Sequence, residues 1–318
     1  MSKALIGATG FVGQSLLSEQ ITHPFHSRNI DQIKGQSFDT VLCAAAPGSM
    51  VEANTAPDRD KARIDGLIDH LAQVQTRQFV LISSVAVLAE FAGQDDEDTQ
   101  AFQTELAYGR NRRALEVFCA DHFERCLILR LPALFGPGLK KNFLFDMLNP
   151  VPSMLTPARM EATQEVLKGA QKDVLAQVYG WDEAVQMYRL DRAVLGATPE
   201  RAALEDTLKA AELSAIGFTH PTSTYQFYNL ARLTHDIEAA CTQGLEVLHL
   251  AVEPIAAGDI HLAVTGQTMP QTNARIHHED MRSKHAALRG RDGPYLDDRD
   301  SILNDLRAFF SAMRGDAA

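Results

Sequence analysis

The chain of 318 residues lacks any long apolar run, and it contains only four cysteines. No stretch approaches the roughly 20 consecutive apolar residues of a membrane-spanning helix, so no membrane association is expected. The cysteines show no metal-ligand spacing, and most of them are expected to be small buried residues in a reducing compartment, which indicates a cytoplasmic protein. A strand-like segment begins close to the start of the chain, so no signal peptide is expected. The cysteines are Cys43, Cys119, Cys126 and Cys241.

The chain also lacks an excess of positive charge. It has 30 lysines and arginines against 41 aspartates and glutamates, which gives a net charge of −11. A general nucleic-acid-binding protein would present a basic face, so no nucleic-acid partner is expected. The polar segment from His277 to Asp280, with His285, offers no closed set of ligands at the usual spacing, and no metal is expected.

The most informative feature that is present is a glycine-rich turn near the start. The apolar run Ala4-Leu5-Ile6 leads directly into it, and an amphipathic helical segment follows from Gln14. A strand, a glycine turn and a helix in this order are typical of a dinucleotide-binding βαβ unit. The phosphates would lie at the helix start, where free backbone N–H groups point at them. The candidate cofactor contacts in this turn are Gly7, Thr9, Gly10, Phe11, Val12 and Gly13.

Strand-like and helix-like segments alternate through the first half of the chain. Near-continuous apolar strands separated by helices indicate a parallel sheet covered on both faces, so the sequence predicts an α/β protein with a Rossmann-like, doubly wound parallel sheet. Ligands of such sheets lie beyond the carboxyl ends of the strands, where Gly7, Ala44, Ser84 and Pro132 fall. Strands are expected at 38–46, 78–84 and 125–131, and helices at 60–73 and 106–121.

The first half of this fold is expected to be shortened. The second strand is expected at 25–28, and the next strand contains Val41. The chain between them is too short for a complete helix and strand. We therefore expect one crossover unit fewer than in a complete dinucleotide-binding half.

The pattern changes from residue 156 to about residue 213, where helices without strands are expected. Helix starts are predicted at Thr156 and Thr198, each followed by proline, and helix ends at Gly180 and Gly196. The apolar faces of these helices are expected to be packing faces, with a homodimer contact as the alternative.

Two domains follow from these patterns. A dinucleotide-binding domain is predicted at 1–150, and a smaller, mainly helical substrate lobe, expected to close over a small molecule, at 151–318. Residues 225–241 are expected to return to the first domain, followed by a strand at 245–250 and a terminal helix at 301–313.

A helix is expected to begin near Tyr108-Gly109-Arg110-Asn111-Arg112, downstream of Ser83-Ser84. With this feature, the chain resembles the extended short-chain dehydrogenase/reductases, the NAD(P)-dependent epimerase/dehydratase group. The resemblance covers residues 1–145, and its features occur in the family's order. They are the GATGFVG turn, the strand that ends in Ala44-Ala45-Ala46, the Ser-Ser strand end, the Tyr-x-x-x-basic helix start, and the segment from Arg130 to Gly138.

The resemblance implies an enzyme in which a tyrosine exchanges a proton with a substrate oxygen and a serine hydrogen-bonds the same oxygen. Carried over, these are Tyr108 and Ser84, with Ser83 the less favoured serine. The family has a lysine four residues after the tyrosine, which holds the nicotinamide ribose and eases ionisation of the phenol. Here that position is Arg112, which keeps the charge and the helix face but does not readily release a proton. Arg63 stands near the place of a family asparagine, and the two changes are expected to be linked.

The resemblance also implies a nicotinamide dinucleotide. Arg28 lies near the expected end of the second strand, where an arginine favours the 2′-phosphate of NADP and an acidic residue favours NAD. NADP is therefore the preferred cofactor, and NAD is the alternative. Further cofactor contacts are implied at Ala44, Ala45, Ala46, Arg112 and Pro132.

The partner implied by the resemblance is a small molecule, with a nucleotide sugar as the substrate class. Lys140, Lys141 and Asn142 follow a Gly-Pro-Gly turn, and paired lysines suit a diphosphate. The implied function is that of an NAD(P)-dependent oxidoreductase or epimerase acting on a carbonyl or hydroxyl group. The alternative is a cofactor-binding regulator without turnover, which the departures at Arg112 and Arg63 keep open.

Overall fold

A computed structural model, which describes residues 2–315, has a central parallel sheet of six strands. Its strands run in the order β12-β5-β4-β3-β1-β2, and every pairing in it is parallel. The strands of the described chain are β1 (Lys3–Ile6), β2 (His23–Phe25), β3 (Ser37–Cys43), β4 (Gln75–Ser84), β5 (Cys126–Leu131), β6 (Ala133–Phe135), β7 (Met154–Leu155), β8 (Tyr179–Asp182), β9 (Met187–Leu190), β10 (Thr224–Tyr225), β11 (Phe227–Asn229), β12 (Val247–His249) and β13 (Ile255–Ala256).

Helices alternate with the strands of this sheet, as the sequence predicted, and the Rossmann-like fold is confirmed. The α-helices of residues 2–315 are α1 (Phe11–Leu16), α2 (Met50–Thr55), α3 (Pro57–Leu71), α4 (Ala107–His122), α5 (Phe143–Leu148), α6 (Pro157–Val166), α7 (Ala170–Val178), α8 (Arg192–Ala197), α9 (Arg201–Ala210), α10 (Leu233–Thr242), α11 (Ala257–Thr265) and α12 (Arg299–Arg314).

The chain divides into two compact units. The first contains the described residues up to Leu139, together with Thr224–Ile255 and His278–Phe309. The second contains Lys140–Ser223, Ala256–His277 and the described residues from Phe310 onward.

The first half of the sheet is shortened, as expected. Only the 3₁₀ turn Ile30–Ile33 separates β2 from β3. However, β2 ends three residues earlier than predicted, because the chain already turns after Phe25. The amide of Asn29 closes this turn: its oxygen accepts from the backbone N–H of His26, and its nitrogen donates to the carbonyl of Pro24.

Apolar side chains from the sheet and from two helices form the core of the first unit. Ile64, Leu67 and Leu71 follow one face of α3 at helical spacing and are buried, and Leu115 and Cys119 do the same on α4. They pack with Phe79 and other strand residues on one side of the sheet. This packing fixes α3 and α4 beside the strands whose ends carry the candidate site.

The second unit is not purely helical, and the prediction of helices without strands between 156 and 213 is wrong. β7, β9 and β8 form an antiparallel sheet in that order. Gln186 turns the β8–β9 hairpin with a positive φ of 54°. Trp181 and Tyr188 face each other across the hairpin with ring centroids 5.1 Å apart, and such cross-strand aromatic pairs stabilise a hairpin.

The helix boundaries in this unit follow the sequence in part. Thr156 caps α6 through its side chain and is followed by proline, as predicted. In contrast, Thr198 ends α8, and α9 begins three residues later. Gly180 lies within β8 and Gly196 within α8, so neither ends a helix.

The later segments return as predicted. Residues 225–241 contain β11 and most of α10, which belong to the first unit. β12 joins the edge of the six-stranded sheet beside β5, and α12 covers the predicted terminal helix. Within residues 2–315, no helix combines the length and the apolar character that a bilayer crossing requires.

Candidate active site

The glycine turn after β1 has the tight geometry that its sequence suggests. Gly7 has a φ of +87°, and a Cβ at this residue would lie 2.5 Å from the carbonyl oxygen of Ala44. A Cβ at Gly13 would lie 2.0 Å from the carbonyl oxygen of Gly7. Neither position has room for a side chain, since backbone packs against backbone at both. The turn therefore brings β1, α1 and the loop after β3 into direct contact.

The start of α1 offers backbone donors. Gly10 precedes the helix in an extended conformation and provides no side chain to cap it. The first N–H groups of α1, at Phe11, Val12 and Gly13, have no carbonyl one turn earlier to accept from them. Thr9 and Gly10 are exposed beside them. A negatively charged phosphate fits such a helix start, so the turn suits the pyrophosphate of a dinucleotide.

The loop after β3 lies next to this turn. β3 ends at Cys43, and the partly exposed residues Ala44, Ala45 and Ala46 follow it. Pro132 is buried between β5 and β6. Arg28 is exposed in the turn after β2 and accordingly lies at the first unit's surface, three residues beyond the strand.

Ser83 and Ser84 end β4 and have different environments. The hydroxyl of Ser83 is buried and donates to a carboxylate oxygen of Glu116 at 2.6 Å. Ser84 is partly exposed, and its oxygen accepts from the backbone N–H of Ala86 at 3.2 Å. Ser83 is thus engaged in the core, and this difference favours Ser84 as the serine that meets a substrate.

Tyr108 lies at the start of α4, where it is buried with Ala53 and Ala86. Its backbone N–H donates to the side-chain oxygen of Asn54 on α2 at 3.0 Å. A Cβ at Gly109 would lie only 2.0 Å from the carbonyl oxygen of Ala86, so the helix start presses against the turn that follows Ser84. The sequence-predicted serine and tyrosine are therefore brought to one region of the first unit.

Arg112 is buried, and its charge is paired. Its Nη1 and Nη2 donate to the two carboxylate oxygens of Asp60 on α3, at 2.5 and 3.0 Å. Nη1 also donates to the carbonyl of Tyr108 at 3.2 Å, and Nη2 donates to the carbonyl of Pro47. The guanidinium carbon lies 3.9 Å from the centre of the Tyr108 ring. Arg112 thus joins α3, α4 and the loop after β3 and covers one face of the tyrosine.

One hydrogen-bond donor of the Arg112 guanidinium is not paired with an acceptor. Its Nε is buried and has no hydrogen-bond partner within residues 2–315. An unpaired buried N–H is costly, so this atom marks a place where an acceptor on a ligand would be favourable. A ribose hydroxyl of a nicotinamide dinucleotide is such an acceptor. The glycine turn and this orphaned donor both fit the implied cofactor.

Asp60 was not singled out from the sequence. It is only 4% exposed, and it also accepts from the side-chain nitrogen of Asn111 at 2.8 Å. Burial opposes ionisation of this carboxyl, but the hydrogen bonds from Arg112 and Asn111 and the charge of Arg112 lower the pKa of Asp60. One signal could have revealed it: Asp60 continues the buried stripe of Ile64, Leu67 and Leu71 one turn towards the start of α3.

The expected link between Arg112 and Arg63 takes a different form in the structure. Arg63 is half-exposed and lies 4.0 Å from a carboxylate oxygen of Glu52. The side chain on α3 that contacts Arg112 is Asp60. The acidic partner of the unusual arginine is therefore one turn closer to the start of α3 than Arg63.

A second buried polar cluster lies one turn further along α4. Glu116 accepts from Nε and Nη2 of Arg130 at 3.0 and 2.8 Å, in addition to Ser83. Nη1 of Arg130 contacts Nε2 of His249 at 3.0 Å, and Nδ1 of His249 lies 2.9 Å from the carbonyl of Arg282. Burial lowers the pKa of His249, against the opposing effect of Glu97. The ring is thus a neutral link in a closed network.

The second unit contains a cationic cavity of about 440 Å³. Arg159, Lys209 and Arg275 line it, together with Glu212 and Phe218. The guanidinium of Arg159 lies 4.4 Å from the centre of the Phe218 ring, and its Nη1 is buried with no partner within the described chain. The cavity offers positive charge and an aromatic face to a ligand.

The predicted substrate residues lie elsewhere in the second unit. Lys140 and Lys141 are exposed, and the side chain of Asn142 caps α5 by accepting from the backbone N–H groups of Leu144 and Phe145. These residues do not line the cationic cavity. Their role in substrate binding stays a prediction.

Two other predicted features have a structural role. Burial raises the pKa of Cys43 to about 11, so this thiol is unreactive. No group of three or more potential metal-ligating side chains occurs in the part of the chain that the structure describes. In the polar segment from His277 to Asp280, Glu279 is buried and accepts from the backbone N–H of Gln226.

The sequence profile of the NAD dependent epimerase/dehydratase family matches residues 4–172, which is more than half of the chain. The match includes the glycine turn, Ser84, Tyr108 and Arg112. No protein of curated function has a significantly similar sequence.

Solved structures of enzymes with this fold are similar over the whole chain. A UDP-N-acetylglucosamine 4-epimerase from Methanobrevibacter ruminantium M1 is 12% identical with a TM-score of 0.60, covering 99% of each chain. RMD from Pseudomonas aeruginosa, complexed with NADPH, is 15% identical with a TM-score of 0.62, covering 100% of each. A dTDP-4-dehydrorhamnose reductase from Bacillus anthracis, in complex with NADP, is 14% identical with a TM-score of 0.60, covering 98% of this chain and 99% of that one. At such identities, these similarities show the fold.

Proposed function

The chain belongs to the NAD dependent epimerase/dehydratase family, and on this premise we propose that it is a nicotinamide-dependent oxidoreductase or epimerase with Ser84, Tyr108 and Arg112 at its active site. The observation that carries the proposal is the packing of Tyr108 against Ala86, two residues after Ser84. A phenol and a hydroxyl held in one region can hydrogen-bond the same substrate oxygen, which is the arrangement that proton transfer requires.

Each residue has a defined task in this proposal. Tyr108 exchanges a proton with the substrate oxygen through its Oη. Ser84 orients that oxygen through its Oγ. Arg112 holds the tyrosine ring, and its unpaired Nε would hold the ribose of the cofactor. The bound nicotinamide would supply the hydride chemistry. The backbone at the glycine turn, with Thr9, Ala44 to Ala46 and Pro132 around it, holds the dinucleotide.

We propose NADP as the preferred cofactor, with NAD as the alternative. Arg28 is exposed in the turn after β2, where its guanidinium is available to a 2′-phosphate. The similar structures include complexes with NADP or NADPH and complexes with NAD, so Arg28 alone carries this preference. An Arg28→Glu variant is expected to bind NADPH at least tenfold more weakly while keeping its affinity for NADH.

We propose a nucleotide sugar as the substrate. Three positive side chains and Phe218 in the cationic cavity suit a diphosphate and a base. The epimerase from Methanobrevibacter ruminantium is in complex with UDP-N-acetylmuramic acid. Lys140, Lys141 and Asn142 remain the further candidates for substrate contact. A cytoplasmic location and a homodimer remain predictions.

Cofactor binding is tested first, by fluorescence titration of NADPH and NADH. Gly13→Ala should abolish binding, because its Cβ would meet the carbonyl of Gly7 at 2.0 Å. Gly66→Ala is the matched control, since a Cβ at Gly66 in α3 meets nothing within 4 Å. Equal affinity of the two variants would contradict the proposed site.

Turnover is tested next, with a panel of keto-sugar nucleotides. Tyr108→Phe should lower the rate by about 10²- to 10⁴-fold, the usual contribution of general acid–base catalysis. Tyr188→Phe, in the β8–β9 hairpin, is the matched control and should keep the wild-type rate. Tight cofactor binding without turnover of any substrate would favour the cofactor-binding regulator instead.

A further inference from the structure

Arg112 differs from a lysine at this position in more than size, because its positive charge is paired with the carboxylate of Asp60. Both terminal nitrogens of its guanidinium contact Asp60, and both side chains are almost completely buried, at 2% and 4% exposure. Two opposite charges in contact act on a third group mainly as a dipole, so much of the attraction of the guanidinium for a nearby phenolate is cancelled. Tyr108 therefore lies against a neutral pair rather than against a free cation.

The other charged groups on the elements around Tyr108 do not restore this positive charge. Arg63 on α3 lies 4.0 Å from Glu52 on α2, and both are partly exposed. Glu116, further along α4, is paired with Arg130 on β5. Arg110, on α4 itself, is exposed and donates to a loop carbonyl. The charge balance next to the tyrosine ring is therefore set by Asp60 and Arg112.

We propose that Asp60 is a positioning residue that neutralises Arg112 beside Tyr108, so that the site is built to donate a proton to a carbonyl, as in a reduction. This inference rests on the proposed function and adds the direction in which Tyr108 transfers the proton. In a reduction, the carbonyl carbon gains a hydride from the reduced dinucleotide and the carbonyl oxygen gains the phenol's proton, so that C=O becomes CH–OH. Tyr108 then recovers a proton from solvent.

The decisive measurement follows the ionisation of Tyr108 and needs neither substrate nor cofactor. Tyrosinate absorbance is titrated against pH in the full chain, and each protein is compared with its Tyr108→Phe counterpart, which isolates one of the six tyrosines. Asp60→Asn should shift the Tyr108 signal to lower pH by about 1 to 3 units, the usual effect of one nearby opposite charge. The same titration in Asp58→Asn, which removes an exposed carboxylate of α3, should match wild type.

Two more variants complete a charge cycle and keep the test valid if Asp60→Asn does not fold. Arg112→Met leaves Asp60 without its partner and should shift the Tyr108 signal to higher pH. The double variant Asp60→Asn/Arg112→Met removes both charges and should titrate like wild type. An unshifted signal in folded Asp60→Asn, or in Arg112→Met, would overturn the proposal. If Asp60 had a purely structural role, its removal would not change the pH at which Tyr108 ionises.

The kinetic arm separates this inference from the proposed function. With an active carbonyl substrate, reduction needs the protonated phenol, so Asp60→Asn should move the pH above which the rate of reduction falls to lower pH by about 1 to 3 units. If no substrate turns over, the proposed function fails, whereas the tyrosine titration still tests the charge cancellation. If the enzyme turns over and the pH profile of reduction is unchanged in Asp60→Asn, the assigned proton donation is wrong although the function stands.

Discussion

Two buried ion pairs lie one turn apart on α4, and they differ in how completely their polar atoms are used. Glu116 and Arg130 form a closed pair, in which Ser83, Arg113 and His249 take up further hydrogen bonds. Arg112 and Asp60 form an open pair, in which the Nε of Arg112 has no partner in residues 2–315.

The difference lies in what each pair leaves unsatisfied on the same helix. A closed network costs least when every polar atom is satisfied, and it then fixes the strands and helix that it joins. An open pair leaves one buried donor unpaired, and that donor lies on the residue that covers the Tyr108 ring. Breaking the closed pair is therefore expected to cost more stability than breaking the open pair.

The largest effect is expected at the closed pair. Glu116→Gln leaves Arg130 buried without a carboxylate, and the loss of unfolding free energy should be about 3–5 kcal/mol. Chemical denaturation measures it, with Glu105→Gln, an exposed position, as the control expected within about 0.5 kcal/mol of wild type. A loss below about 1 kcal/mol for Glu116→Gln would show that the Glu116–Arg130 pair contributes little to the stability of the fold.

A smaller loss is expected at the open pair. Asp60→Asn should lower the unfolding free energy by about 3 kcal/mol, at the lower end for a broken buried pair. The loss is limited because Arg112 keeps two backbone acceptors, the carbonyls of Tyr108 and Pro47. The same denaturation assay compares the two variants, and a loss larger than that of Glu116→Gln would reverse the comparison.

The pairs should also respond to acid in different pH ranges. The pKa of His249 is lowered in the folded state, so its contribution is complete above the unfolded value near 6.5 and is lost as the pH falls below it. The pKa of Asp60 is also lowered, so its contribution is complete above about 4 and is lost only at lower pH.

Unfolding free energies measured between pH 7 and pH 5 test this difference. Wild type should lose stability between pH 7 and pH 5. This loss should be smaller in His249→Gln than in the control His235→Gln, in which an exposed histidine is removed. An identical slope in the two variants would exclude His249 as the group that carries the loss.

The smallest effect is expected at Arg63. Its contact with Glu52 is long and partly exposed, so Arg63→Ala should cost about 0–1 kcal/mol of unfolding free energy. The tyrosinate titration should also stay unchanged. A shift of the Tyr108 signal to higher pH, as large as the opposite shift expected for Asp60→Asn, would show that Arg63 also sets the charge beside the tyrosine.

The fold could be predicted from the sequence, and the region of the candidate site proposed from it, because both depend on local patterns. Apolar strands, the glycine turn and the Tyr-x-x-x-basic helix start each lie within a short segment. The partner of Arg112 could not be predicted in this way, since 52 positions separate it from Asp60 and only the packing of α3 against α4 brings them together.

The β8–β9 hairpin was missed for a related reason. Its strands are only four residues long, and Gly180 within β8 resembles a helix end when it is considered alone. The pairing of Trp181 with Tyr188 stabilises these strands, and that contact forms only after the turn at Gln186 has closed. Short hairpins are therefore harder to predict than the long apolar strands of the central sheet.

The shortened first half leaves β2 as the margin of the central sheet, with one neighbour, β1. An exposed edge strand can pair with a strand of another molecule, and such pairing leads to aggregation. Pro24, in the middle of β2, has no N–H to offer an incoming strand. The shortened sheet therefore has an open edge at β2, and one proline hinders the addition of another strand there. Pro24→Val should make the protein more prone to self-association without changing its catalytic activity.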